Sequence, residues 1–106
     1  MPYGFVQDVP ANEEIYGKIR ALLPDDVPGL QAHIVIKRDG GLRYVDVWDD
    51  EASWVAFRDT HVEPAVDRVL ASYGIPHDHS LVTTEPIDVL DVWCGTARSV
   101  TSKAPA

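Results

Sequence analysis

Five side chains in this sequence have types and spacing that could do chemistry together: Tyr44, Trp48, Trp54, Phe57 and His61. His61 falls on the apolar face of a helical pattern, where an aliphatic residue would be ordinary. A histidine there can take or give a proton near neutral pH, or orient a phenolic group. The plainer reading is a half-buried histidine satisfied by a neighbouring backbone group. Trp48, Trp54, Phe57 and Tyr44 could line a pocket for a planar ligand. Core and interface packing would use the same residues.

Other polar groups are candidates for different chemistry. Asp46 and His33 fall on one face of a β pattern and could pair in the interior of a dimer. A carboxylate there needs hydrogen bonds or a cation such as Lys37, so a structural polar network is the expected role. His77-Asp78-His79 offers three metal-ligand types in one loop. A strong site needs a further ligand at a definable place, and His61 is a conceivable one. The expectation is a solvated loop with no metal. Cys94, the single cysteine, has no base or cation beside it in sequence, so neither a reactive thiol nor an internal disulfide is expected. Gly40-Gly41 lies outside any phosphate-binding or dinucleotide fingerprint.

The elements that must position these groups centre on residues 41–70. Leu42 to Trp48 alternates as a strand, and Asp49 or Asp50 caps a helix that carries Trp54, Phe57, His61, Val62, Ala65, Val66, Val69 and Tyr73 along one face. Pro64 lacks an N–H, which predicts a kink or break over 61–64; Gly74 and Pro76 end the helix. Upstream, Tyr3 to Gln7 reads as a strand, and Asn12 caps a helix from Glu13 to about Leu23. Residues 24–29 form a loop, and Leu30 to Lys37 is a second strand entering a hairpin at Gly40-Gly41, where positive φ is expected at both glycines. Pairing Asp39 with Leu42 would set Ile36 against Val45 and Ile34 against Val47. After a polar connection over 75–84, Ile87 to Trp93 reads as the last strand, and residues 96–106 as a flexible tail after a single domain over 1–95.

The order β-α-β-β-α-β predicts an α+β, ferredoxin-like fold: a four-stranded antiparallel sheet with two helices on one face. Placing the aliphatic sheet face under the helices leaves Tyr44, Trp48, Val89, Trp93 and Val35 on the free face. A face that apolar predicts a homodimer sealed through the sheet. At 106 residues the chain suits one small domain, which a second subunit would help to stabilise. A net charge of −8 without a basic patch argues against nucleic acid and anionic membranes. No run approaches a membrane span, and no signal-peptide pattern opens the chain, so a cytoplasmic location is expected.

The run VDVWDDEASWVAFRDTHVEPAV resembles the strand-to-helix signature of the antibiotic-biosynthesis-monooxygenase-like family of the dimeric α/β-barrel superfamily. The matching features are Trp48 ending the strand, Asp49 as the cap, Trp54, Phe57, and the Pro64-Ala65 pair. The opening MPYGFVQDVP and the Gly-Gly hairpin are also similar, so the resemblance spans roughly residues 3 to 93. It implies a pocket between sheet and helices, and cofactor-free oxygenation of a small apolar or aromatic metabolite. A non-catalytic ligand-binding or interaction module on the same fold is the alternative. Haem-degrading relatives are similar in fold but need a helix Trp followed ten residues later by His. Phe57 and Asp67 stand at those positions and cannot do that work.

Overall fold

The computed structural model describes residues 2–93. Strand β1 (Tyr3–Val9) leads through Asn12 into α1 (Glu13–Ala21), followed by the β2–β3 hairpin (Leu30–Arg38 and Gly41–Trp48). A long helical segment comes next: α2 (Glu51–Phe57), a π-helical turn (Arg58–Val62) and α3 (Glu63–Ser72). A short 3-10 turn (His79–Leu81) then reaches β4 (Thr83–Ile87). The sheet is fully antiparallel in the order β2-β3-β1-β4, so the expected ferredoxin-like α+β fold is present.

Local chemistry accounts for these boundaries. Asn12 Oδ1 accepts the Ile15 N–H at 2.8 Å, and Asp50 Oδ1 accepts the Ser53 N–H at 2.8 Å, capping both helices. The break expected near Pro64 takes the form of the π turn. Pro64 has no N–H to give, and the Glu63 N–H reaches back to the Arg58 carbonyl, five residues away, so the ladder is widened rather than cut.

The hairpin turns one residue earlier than expected, at Asp39-Gly40, so Arg38 faces Gly41, Ile36 faces Arg43 and Ile34 faces Val45. Of the two hairpin glycines, Gly40 alone has positive φ, at +81°. Gly41 is needed for a different reason: a Cβ there would lie 2.0 Å from the Val9 carbonyl oxygen. The shift from 34 against 47 to 34 against 45 is even, so each strand keeps the face composition that the sequence implies.

The choice of buried face is reversed. His33, Val35, Tyr44, Asp46 and Trp48 lie under the helices, and the aliphatic set, with Ile34 and Ile36 exposed, lies on the free face. The reason sits in β1. Phe5 pairs with Asp46 and Val9 with Leu42, and Phe5, Leu42 and Trp48 are each 3% exposed or less. Burying these large side chains outweighs burying the aliphatic residues of one hairpin. Trp48 and Phe5 pack on Trp54, and Trp48 also meets Phe57. Ile15, Ile19, Ala65 and Val69 join α1 to α3 in a second cluster.

The last strand also differs from expectation. It is Thr83–Ile87, paired among the described residues with β1 alone, and residues 88–93 carry no strand. Thr-Thr-Glu-Pro looks unlike a strand, but β4 is an edge, where Pro86 can be accommodated. Cys94 and the tail over 96–106 lie outside the described residues.

Candidate active site

Between the inner sheet face, α1 and the α2–α3 segment lies a cavity of about 710 Å³. Ile19 and Leu23 wall it on one side, Trp54, Phe57, Val62 and Val66 on another, and the sheet contributes Gln7, His33, Val35, Tyr44 and Asp46. Its lining is mostly apolar, with a small convergent polar group, which is the usual character of a small-molecule site.

That polar group is a chain of hydrogen bonds. The antiparallel register sets His33 directly opposite Asp46. His33 Nδ1 lies 2.7 Å from Asp46 Oδ1, and Trp48 Nε1–H donates to Asp46 Oδ2 at 3.1 Å. On the other side of the imidazole, Tyr16 Oη lies 3.0 Å from His33 Nε2. A carboxylate can only accept, so the network assigns the proton to Nδ1 and leaves Nε2 to accept the Tyr16 O–H. Asp46 is 5% exposed, and its two partners supply the hydrogen bonds that a buried carboxylate requires.

Two phenols flank the imidazole. The Tyr44 ring is 5.4 Å from that of His33 and 5.6 Å from that of Tyr16. Burial pushes both hydroxyls above the ordinary tyrosine range, and the negative Asp46 adds to the effect. Both therefore stand as neutral O–H groups near neutral pH. When the Tyr16 oxygen takes up a proton, the phenol can hand its original O–H proton to His33 Nε2, and Asp46 stabilises the resulting imidazolium.

Three of the four aromatics expected in a pocket, Tyr44, Trp54 and Phe57, line the cavity. Trp48 is 1% exposed and lies behind them, with its ring 5.5 Å from those of Trp54 and Phe57. His61 is exposed on the π turn, its ring 5.3 Å from that of Phe57, and does not line the cavity. His33 and Asp46 meet within one chain. Tyr16 is the member of the chain that sequence reasoning missed. The signal available was its place on the margin of α1, where a polar tip can reach the sheet.

No protein-family model and no curated protein matches the chain in sequence. Solved structures do match in shape. A candidate antibiotic biosynthesis monooxygenase from Chloroflexus aurantiacus J-10-fl superposes with a TM-score of 0.60 at 15% identity, covering 89% of this chain and 98% of that one. A second, from Caulobacter crescentus CB15, gives 0.60 at 12% identity, covering 85% and 91%. A third, from Deinococcus radiodurans, gives 0.53 at 14% identity, covering 92% and 100%. The chain shares the fold of these three structures. Identities this low make the likeness one of architecture, so the chemistry of this version of the fold must be argued from its own cavity. No helix among the described residues is long and apolar enough to cross a membrane.

Proposed function

We propose that the protein binds a small, largely apolar aromatic metabolite in this cavity and oxygenates it without a cofactor. The observation that supports this reading is the Asp46–His33–Tyr16 chain on the wall of an apolar, aromatic-lined cavity. Tyr44, Trp54 and Phe57 hold the planar ring system. Tyr16, backed by His33, removes a proton from an acidic methylene carbon flanked by carbonyl-bearing or phenolic rings. The carbanion reduces dioxygen, so that one methylene and one dioxygen become one ketone carbonyl and one water. The carbon loses four electrons and both its hydrogens. Dioxygen gains the electrons, leaving one oxygen atom on the carbon and the other in the water. The protein's own tasks are to bind, to move the proton and to exclude water.

The working unit in this reading is a homodimer joined through the free sheet face, where Ile34, Ile36 and Ile87 are exposed.

Oxygen uptake with a panel of anthrone-like and polyphenolic compounds tests the proposal. The wild-type protein should consume oxygen with at least one of them. His33→Ala should slow turnover by about 10²–10⁴-fold while ligand binding, read from tryptophan fluorescence, persists. His61→Ala in the same assay decides between the two histidines: loss of turnover there, with His33→Ala active, moves the base to His61. Ring binding with neither oxygen uptake nor deuterium exchange at the acidic carbon would leave a non-catalytic binding module.

A further inference from the structure

Glu63, His77 and His79 meet outside the cavity, and none of them lines it. Val62 and Val66 face the cavity from the same helical segment. Glu63 and Asp67 each follow one of them by one residue, a turn of about 100° around the helix. We propose that Glu63, His77 and His79 bind a divalent transition-metal ion such as zinc, with Asp67 as a positioning residue.

Four observations carry this. The candidate ligand atoms of the three residues all lie within 4.8 Å of one another. Tetrahedral zinc, with bonds of about 2.0–2.2 Å, holds its ligand atoms about 3.4 Å apart, so modest side-chain rotations close the site. The two histidines already face the same way: their rings stack at 4.1 Å with 29° between planes. Asp78 is occupied elsewhere, its Oδ1 accepting from Ser80 N–H at 3.0 Å and from Ser80 Oγ–H at 2.6 Å, which bends the loop and leaves its two neighbours directed at α3.

The fourth observation concerns Asp67. Its carboxylate hydrogen-bonds His77 Nδ1, and the His77 side chain is only 17% exposed. That bond places the proton on Nδ1 and turns Nε2 into the free lone pair. Metal-ligating histidines are oriented in this way by an outer carboxylate. Glu63 and Asp67 stand one helical turn apart, so one supplies a ligand and the other orients one. His79 Nε2 lies 2.8 Å from Glu63 Oε1, and an ion would enter by parting that pair.

Two imidazoles and one carboxylate suit zinc, nickel or copper better than calcium or magnesium, and three protein ligands leave a position for water. The ion would tie the first turn of α3 to the segment that leads into β4.

The test is calorimetric titration of zinc chloride into chelator-treated protein carrying no histidine tag, with cobalt(II) absorption as a second readout. One equivalent should bind with micromolar affinity, the cobalt complex should show visible d–d bands, and Tm should rise with added zinc. His79→Ala, at a side chain 69% exposed, should abolish the heat and the bands without disturbing the fold. Asp67→Asn should weaken binding by about 10–100-fold while keeping one site. Absent heat and unchanged Tm with wild-type protein would overturn the site, as would equal zinc affinity in wild type and a His77→Ala/His79→Ala double variant.

Discussion

Asp46 is the residue on which both the packing and the proposed chemistry turn. A charged residue on the core face would ordinarily argue that the face had been misassigned, because an unpaired carboxylate is costly to bury. Here the cost is met by Trp48 Nε1–H and by His33 Nδ1. Asp46→Ala should therefore destabilise the fold by about 1–3 kcal/mol in urea unfolding, because the Trp48 N–H loses its acceptor inside the core. Asp46→Asn keeps an acceptor oxygen and should recover much of that loss, yet it removes the charge that supports an imidazolium, so turnover should stay low. The two neighbouring phenols give a second expectation. Tyr16 and Tyr44 have folded-state pKa values raised above the unfolded tyrosine value, so their contribution is fully present below that value. It is lost as pH rises beyond about 10, where the unfolded chain ionises first. Stability followed by circular dichroism should fall above that pH, and the fall should be smaller in Tyr44→Phe.

At the scale of elements, both helices and the β2–β3 hairpin were legible in the sequence because caps, glycines and alternation agree there. Asn12 caps as its position implies, and of the two candidates Asp49 and Asp50 it is Asp50 that caps, while Asp49 accepts from Gln31. The buried face was not legible from that hairpin, whose two faces both carry apolar residues. Phe5 and Val9 decided it, and their phase with the hairpin depends on a long-range pairing that local pattern does not contain. The edge strand β4 was missed because an edge needs few apolar residues and tolerates proline. Most of the candidate site was readable because Tyr44, Trp54 and Phe57 sit in strongly patterned elements and strand alternation put His33 and Asp46 on one face, whereas the Tyr16–His33 contact joins residues 17 apart across two elements. The hairpin glycines offer the cleanest test at this scale. Gly41→Ala drives a Cβ against the backbone oxygen of Val9, which cannot rotate away, so β1 and β3 must separate locally. A loss of about 1–3 kcal/mol is expected from urea midpoints. Gly40→Ala meets no neighbour and should cost only the left-handed backbone penalty of about 1–2 kcal/mol.

For the whole molecule, the reversal of the sheet faces changes what a partner copy would cover. The aromatic face is already taken by the helices and the cavity, and the face left open carries Ile34 at 53% exposure and Ile36 at 44%. Near Gly4, the side chains of Ile87 and Val89 crowd the same face, so the apolar surface runs from the β2 edge toward β4. Across the middle, Asp8 binds Arg43 through two hydrogen bonds, at 2.8 and 3.1 Å, with Arg38 close by. A face that mixes an ion-pair cluster with exposed isoleucines is suited to register a second copy: the isoleucines supply the hydrophobic gain and the charges limit the alternatives. A homodimer joined there makes a specific prediction. Ile34→Glu, paired with Ile36→Glu, should shift sedimentation from dimer to monomer while leaving the cavity and the His33 chain intact, because neither isoleucine lines that cavity. Tyr44→Ala, on the opposite face, should alter ligand binding and leave the assembly unchanged. If the isoleucine pair leaves the sedimentation coefficient untouched, the sheet face is not the joint, and the apolar side chains beyond β4, Leu90 and Trp93, at 98% and 92% exposure, become the next surface to substitute.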